Sequence, residues 1–166
     1  MPTALRPLDG NRCLDFINSP GELAALFGDR DPSPSELRRA RRFRDILGRI
    51  VSAEASGVGA AATDLDALNQ VLARCGARRG LVSTVRGYGW GWVGGAGADD
   101  LLWPIAFAAA RLLEGPDLAR LKACDGCGQL FLDASRNRAR RWCDMQECGN
   151  REKQRRWRQT APDSWL

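Results

Sequence analysis

Four cysteines constrain this chain more than any other feature. Cys124 and Cys127 have two residues between them, Cys143 follows after fifteen more, and Cys148 after a further four. A segment this short cannot bury enough apolar surface to fold unaided, whereas four thiolates converging on one ion supply the missing free energy. The spacing is close to the C-x2-C…C-x2-C pattern of a structural zinc site, in which zinc takes four soft ligands as a tetrahedron with no open position. Gly126 and Gly128 give the first pair a backbone that can bend round the metal. QLFLD and RRWC read as two strands joined by ASRNRA, which return the chain to the ion, and Cys148 falls where a final helix begins. A knuckle, a hairpin and a helix meeting at one ion is a treble-clef-like arrangement, with one structural Zn2+ expected per chain.

Competing chemistries fit less of the pattern. A redox pair accounts for Cys-x-x-Cys alone, leaves the second pair unexplained and lacks a surrounding βαβ pattern. The chain has no histidine, which excludes a cysteine–histidine nucleophile and a mixed histidine–cysteine site. Four thiolates also close the position that a catalytic zinc would need open. An iron–sulfur cluster is the alternative that four cysteines equally serve. With no acid–base or nucleophile constellation elsewhere, the expectation is a protein that is not an enzyme.

Charge placement points the same segment toward a polyanion. Residues 1–119 carry fourteen basic and fourteen acidic side chains, whereas residues 120–158 carry eleven basic against five acidic. The whole excess therefore sits in the last quarter of the chain, an asymmetry typical of an interaction module. A helix starting near Asn150 places Arg151, Arg155 and Arg158 on one face, Trp157 on the opposite face to anchor the helix against the hairpin, and Glu152 four residues before Arg156. Arg136, Arg138, Arg140 and Arg141 crowd the turn of the same module. These eight cations (Arg136, Arg138, Arg140, Arg141, Arg151, Lys153, Arg155 and Arg158) are the candidate DNA contacts. A zinc ion held by four thiolates is itself about −2, so part of the excess neutralises the site; the remainder favours phosphate.

The preceding residues read as mainly α-helical with a small β-hairpin. NRCLDFINS (11–19) is a short apolar stretch, strand or helix unresolved, and PGELAALF (20–27) suits a brief helix. Ser33 and Glu36 form a capping box with Pro34 at the first helical position, and Leu37, Ala40, Phe43, Leu47 and Ile50 recur at the spacing of one buried face, to a stop near Gly57. A second helix from Thr63 buries Leu65, Leu68, Leu72 and Cys75 and stops at Gly76. LVSTVRGYGWGWVGG (81–95) switches to a two-residue period and reads as a hairpin. Asp99 or Asp100 caps a further helix to about Leu113.

LKACDGCGQLFLDASRNRARRWCDMQECGNREKQRRWR, residues 121–158, closely resembles the CGNR zinc-finger family, whose name is spelled here by Cys148, Gly149, Asn150 and Arg151. In that family the finger follows an N-terminal helical domain called ABATE, found in bacterial transcription regulators associated with stress. CLDFINS and the arginine-rich helix at 34–56 are similar to landmarks of that domain. The resemblance implies four metal ligands at Cys124, Cys127, Cys143 and Cys148, a DNA-binding role for the finger, and a division into an ABATE-like sensor domain (1–119) and a zinc module (120–166).

Weaker signals remain. Gly89–Gly94 matches GxGxxG, but it opens into more glycine and tryptophans crowd the turn, so coincidence in a glycine-rich hairpin is the better reading. Tyr88, Trp90 and Trp92 read either as the core face of the hairpin or, with Trp103, Asn18 and Arg44, as the lining of a small-molecule effector pocket. No apolar run approaches the ~20 residues that span a bilayer. The longest, LLWPIAFAAARLL, carries Pro104 and Arg111, and no signal-peptide segment opens the chain; a cytoplasmic location follows as an expectation. Two function classes stay open. One is a transcription regulator whose finger holds DNA while the helical domain senses a signal or forms a homodimer; the other is an interaction protein whose finger binds RNA or another protein.

Overall fold

The computed structural model of the chain describes residues 10–19, 23, 31–93 and 102–160. Five α-helices and two antiparallel hairpins follow one another in these segments: α1 (Gly10–Asn18), α2 (Pro34–Ala55), α3 (Ala62–Gly76), β1 (Arg79–Thr84), β2 (Gly87–Trp92), α4 (Trp103–Glu114), β3 (Leu121–Ala123), β4 (Leu130–Leu132) and α5 (Asn150–Thr160). The protein is thus mainly α, with strands and then a helix around the cysteines.

The stretch at 11–19 is helical: its apolar residues meet at three-residue steps, so Cys13, Leu14 and Phe16 turn inward together. Helix α2 begins as its sequence dictates. Ser33 accepts the Glu36 amide, Glu36 returns its carboxylate to the Ser33 amide, and Pro34 opens the first turn. Its Ala40, Phe43, Leu47, Ile50 and Val51 are buried, and Gly57 ends the run at φ +71°, a conformation that costs glycine nothing. Helix α3 starts one residue earlier than the sequence suggests and turns Val71, rather than Leu72, fully inward. Arg49 of α2 clasps Asp64 of α3 through two nitrogens, at 2.9 and 2.6 Å. Helix α4 begins at Trp103 with Pro104 in its first turn; Asp99 and Asp100, the expected caps, lie outside the described residues, as does most of the helix expected at 20–27. Of that segment only Leu23 is described, and it is buried in the core.

The helices share one core with the zinc module. Leu121 of β3 and Leu130 of β4 are buried in the same cluster as Phe16, Leu47, Ile50, Ile105 and Leu112. Asn18, the last residue of α1, seals this junction: its side-chain amide donates to the Leu130 carbonyl at 2.8 Å and accepts the Leu130 amide at 3.1 Å. The zinc module is therefore not packed apart from the helices. A hairpin with three residues per strand has too little surface of its own to form a core, and it borrows the helices' core instead.

Hairpin β1–β2 pairs Arg79 with Trp92 through to Thr84 with Gly87, around a Val85-Arg86 turn. The glycines of β2 answer a steric demand. A Cβ on Gly91 would sit 2.3 Å from a Val82 methyl, and one on Gly80 would sit 2.5 Å from a Val93 methyl, so the valines lean across bare backbone on that face. Gly89 and Gly91 are strand residues of a two-stranded sheet, which is not the strand-to-helix context that a dinucleotide-binding GxGxxG requires.

Candidate metal centre

Strands β3 and β4 flank the first cysteine pair. The Cys124 amide donates to the Gln129 carbonyl at 2.8 Å and the Gly128 amide to the Cys124 carbonyl at 2.9 Å, closing a tight loop in which Gly128 takes φ +77°. Gly126 packs closely here, where a Cβ would come within 3.3 Å of the Cys148 Cβ. The hairpin strands of the finger are thus LKA and LFL, one on each side of the knuckle. RRWC is not a strand, which corrects the reading of 140–143. The physical reason lies in its backbone groups: the Arg141 carbonyl accepts a single amide, that of Asp125, at 3.0 Å, and side chains meet the Arg140 amide and carbonyl instead of a ladder. The Arg140 amide donates to Asp133 Oδ2 at 2.9 Å, and Lys122 Nζ donates to the carbonyls of Arg138 and of Arg140, the latter at 3.1 Å.

Asp133 organises this return loop from a fully buried position. It accepts the Lys122 ammonium at 2.8 Å, the Ser135 amide at 2.9 Å and hydroxyl at 2.5 Å, and the Arg140 amide. Burial opposes its charge, but these four donors outweigh that penalty and hold its carboxyl well below the ordinary range. The loop they hold includes Arg138 at φ +49°, a left-handed conformation unusual for a residue with a Cβ. The second cysteine pair arrives through Asp144, whose side chain caps a single π-turn (Met145–Gly149) by accepting the Gln146 and Glu147 amides. That turn places Cys148 against the knuckle, and α5 leaves directly from it.

The four sulfurs meet. All the Sγ atoms of Cys124, Cys127, Cys143 and Cys148 lie within 4.8 Å of one another, with Cys127–Cys143 at 3.6 Å and Cys143–Cys148 at 3.8 Å. A tetrahedron with Zn–S bonds of ~2.3 Å has S···S edges of ~3.8 Å, so the donor set matches the ion in both number and size. The electrostatics agree. Burial raises the Cys124 thiol, but backbone amides, including that of Gly126, aimed at its sulfur outweigh this and hold it at about 6. Burial and the neighbouring sulfurs of Cys127 and Cys124 push Cys143 up to about 12, and Cys148 is raised chiefly by Cys127. Cys124 ionises readily here, whereas Cys143 and Cys148 need a cation before they do. The four cysteines form a structural zinc site.

The sequence of the whole chain fits this architecture. A family model described as "Putative stress-induced transcription regulator", named ABATE, matches residues 3–116. The chain belongs to the ABATE family. The CGNR zinc-finger model matches residues 120–161, directly after it. A search of curated proteins found no relative. Neither family description is that of an enzyme, and among the described residues no helix is long and apolar enough to cross a membrane.

The basic residues of this ABATE–CGNR chain separate into two groups. Arg136, Arg138, Arg151, Lys153 and Arg158 are exposed, with no ion pair among the described residues. Arg141 is paired to Asp125 at 2.7 Å, and Arg155 to Glu152 at 2.8 Å, with Arg156 on the same carboxylate at 3.2 Å. Arg140 turns inward, donates to the Cys143 carbonyl and lies 5.6 Å over the Phe131 ring. Trp157 does not anchor α5 against the hairpin. It is 63% exposed and lines a groove of ≈ 410 Å³ with Asn150, Lys153 and Gln154. That groove went unnoticed in the sequence, although 150, 153, 154 and 157 share a helix face as plainly as 151, 155 and 158 do.

The residues considered for an effector pocket are dispersed. Asn18 holds Leu130, and Arg44 lies along α2, 3.8 Å from Asp45. Trp103 stacks on Phe107 at 4.9 Å and lies under the Arg79 guanidinium at 4.5 Å. Tyr88 and Trp90 are 77% and 70% exposed; the Trp92 side chain is outside the description. The helical domain does carry a concave surface elsewhere, a groove of ≈ 450 Å³ where Arg39, Arg42, Gln70 and Arg74 surround Phe43 and Val71.

Proposed function

We propose that this chain is a cytoplasmic, DNA-binding transcription regulator in which residues 120–166 hold DNA and residues 1–119 sense a signal. One observation carries the reading: the metal-built scaffold displays Arg136 and Arg138 on its loop, and Arg151, Lys153 and Arg158 on its helix, as exposed cations without carboxylate partners among the described residues. Phosphates are the complementary partner. Arg141 and Arg155 contribute less, since each would first have to leave a carboxylate, and Arg140 serves the scaffold. Asn150 and Gln154, one turn apart in the groove beside Trp157, present the donor–acceptor pair that reads adenine in a major groove. In this reading the groove between α2 and α3 is where a small anionic effector meets the helical domain.

A salt titration of duplex binding tests the proposal. Arg151→Ala and Arg158→Ala should each weaken binding and flatten the log–log salt slope by about 0.9, with Arg155→Ala showing a smaller effect. Gln154→Ala should relax sequence preference at one position with the slope unchanged. If the arginine variants bind duplex DNA like the parent at every salt concentration, the finger is a protein- or RNA-binding module instead.

A further inference from the structure

Hairpin β1–β2 turns two aromatic residues to solvent. Tyr88 and Trp90 alternate with glycines and so stand on one face of β2, 77% and 70% exposed, with Leu81 directly across from Trp90 and 65% exposed. On the opposite face Val82 and Val93 lie over bare glycine. Val85 and Arg86 form the exposed tip. Exposed rings on one face of a strand mark a contact surface. The charge around them defines its chemistry. From residue 67 to residue 98 the chain contains four arginines (Arg74, Arg78, Arg79 and Arg86) and no aspartate or glutamate.

We propose that this hairpin is a second nucleic-acid contact, in which Tyr88 and Trp90 stack on unpaired bases while Arg86 meets the adjoining phosphate. Two π faces on one strand, with Arg86 at the tip of the same hairpin, are the ingredients by which single-stranded nucleic acid is held without regard to sequence. A base inside a duplex already has its faces covered, so the rings select DNA that is single-stranded or locally opened. The inference rests on the finger reading only for the polymer being DNA; the ring geometry stands without it. The chain would then grip duplex through the finger and opened strand through the hairpin.

The test uses the full zinc-loaded chain and fluorescence anisotropy, with two probes: a labelled dT oligomer of about 16 nucleotides, the upper end of single-strand site sizes, and a mixed-sequence duplex of the same length. Tyr88→Ala and Trp90→Ala should each weaken oligo-dT binding by about 5- to 150-fold, Trp90→Phe less than Trp90→Ala because it keeps a π face, and Arg86→Glu should weaken it with a flatter salt slope. Duplex affinity should be unchanged in all four, and unaltered thermal midpoints would show that these exposed positions leave the fold intact. Oligo-dT binding equal to the parent's in the ring variants overturns the proposal. So does a parent that sediments as a dimer and becomes a monomer on Trp90→Ala without any change in oligo-dT affinity, since the rings would then cover a second copy. Arg151→Ala with Arg158→Ala separates the two readings. Loss of duplex binding there with intact oligo-dT binding in the ring variants leaves the finger and removes the hairpin; the reverse removes the finger and leaves the hairpin.

Discussion

Asn18→Ala should destabilise the zinc finger from 112 residues away in sequence. The wild-type side chain makes two hydrogen bonds to one backbone unit, donating to the Leu130 carbonyl at 2.8 Å and accepting its amide at 3.1 Å. Leu130 is buried, so alanine leaves both groups with their partners gone and little room for replacements. An orphaned buried polar group costs ~1–3 kcal/mol. Asn18 itself is half-buried, so water can reach part of the gap, and the low end applies to each: about 2–3 kcal/mol in all. With a urea slope of ~2 kcal/mol per molar, the unfolding midpoint should fall by about 1–1.5 M. Because Leu130 lies in β4, three residues beyond Cys127, transfer of zinc to a chromogenic chelator should also become faster. Asn18→Asp keeps the acceptor for the Leu130 amide but sets an anion against the carbonyl, so it should not restore stability at neutral pH. A midpoint within about 0.25 M of the parent's, equivalent to the ~0.5 kcal/mol range of ordinary surface substitutions, would refute the reasoning, because the pair would then be replaceable by water. A lowered midpoint with unchanged zinc release would refute the coupling to the metal.

Serine at any of Cys124, Cys127, Cys143 or Cys148 should abolish the one zinc per chain that elemental analysis detects, and should also lower the melting temperature of the helices, because Leu121 and Leu130 belong to their core. Zinc affinity should fall as the pH is lowered: Cys124, near 6, is largely ionised at pH 7, whereas Cys143, near 12, and Cys148, also raised, must each give up a proton to bind. Calorimetry of zinc binding at pH 7 in buffers of different ionisation enthalpy should therefore count about two protons or more released per ion. Asp133→Asn leaves the Lys122 ammonium without its counter-ion and should loosen the 134–141 loop, read as faster trypsin cleavage at Arg136 and Arg138. Since the Asp133 carboxyl is depressed in the fold, its stabilisation is complete above the unfolded carboxylate pKa of ~3.9 and is lost only as the pH falls further, through the folded value, so the loop should stay protected across the whole pH range in which zinc is bound.

What the sequence discloses here divides by the range of the interaction. The α2 cap is written in four consecutive residues, and the zinc ligands in 25, because a capping hydrogen bond and a tetrahedron of sulfurs are both closed by local chain geometry. The elements that sequence reading misplaced depend on distant partners. RRWC has the composition of a strand, yet Asp133 and Lys122 capture its backbone groups first. Trp157 looks like an anchor, but nothing in a linear pattern says whether a partner surface stands opposite, and α5 leaves the metal with that ring outward. Tyr88 and Trp90 have core periodicity, yet among the described residues no helix face covers them, and the rings are left in solvent. Asn18 is the sharpest case. As a polar residue ending an apolar helix it reads as a cap or a ligand contact, and only the fold reveals that its partner is the backbone of a strand beside the metal. The same bond couples the helices energetically to the zinc module. A hairpin of three residues per strand cannot hold its register alone, so the helices that bury Leu121 and Leu130 also fix where the cysteines of the knuckle stand. A change that moves α1 must therefore move the frame on which Arg136, Arg138 and α5 are displayed.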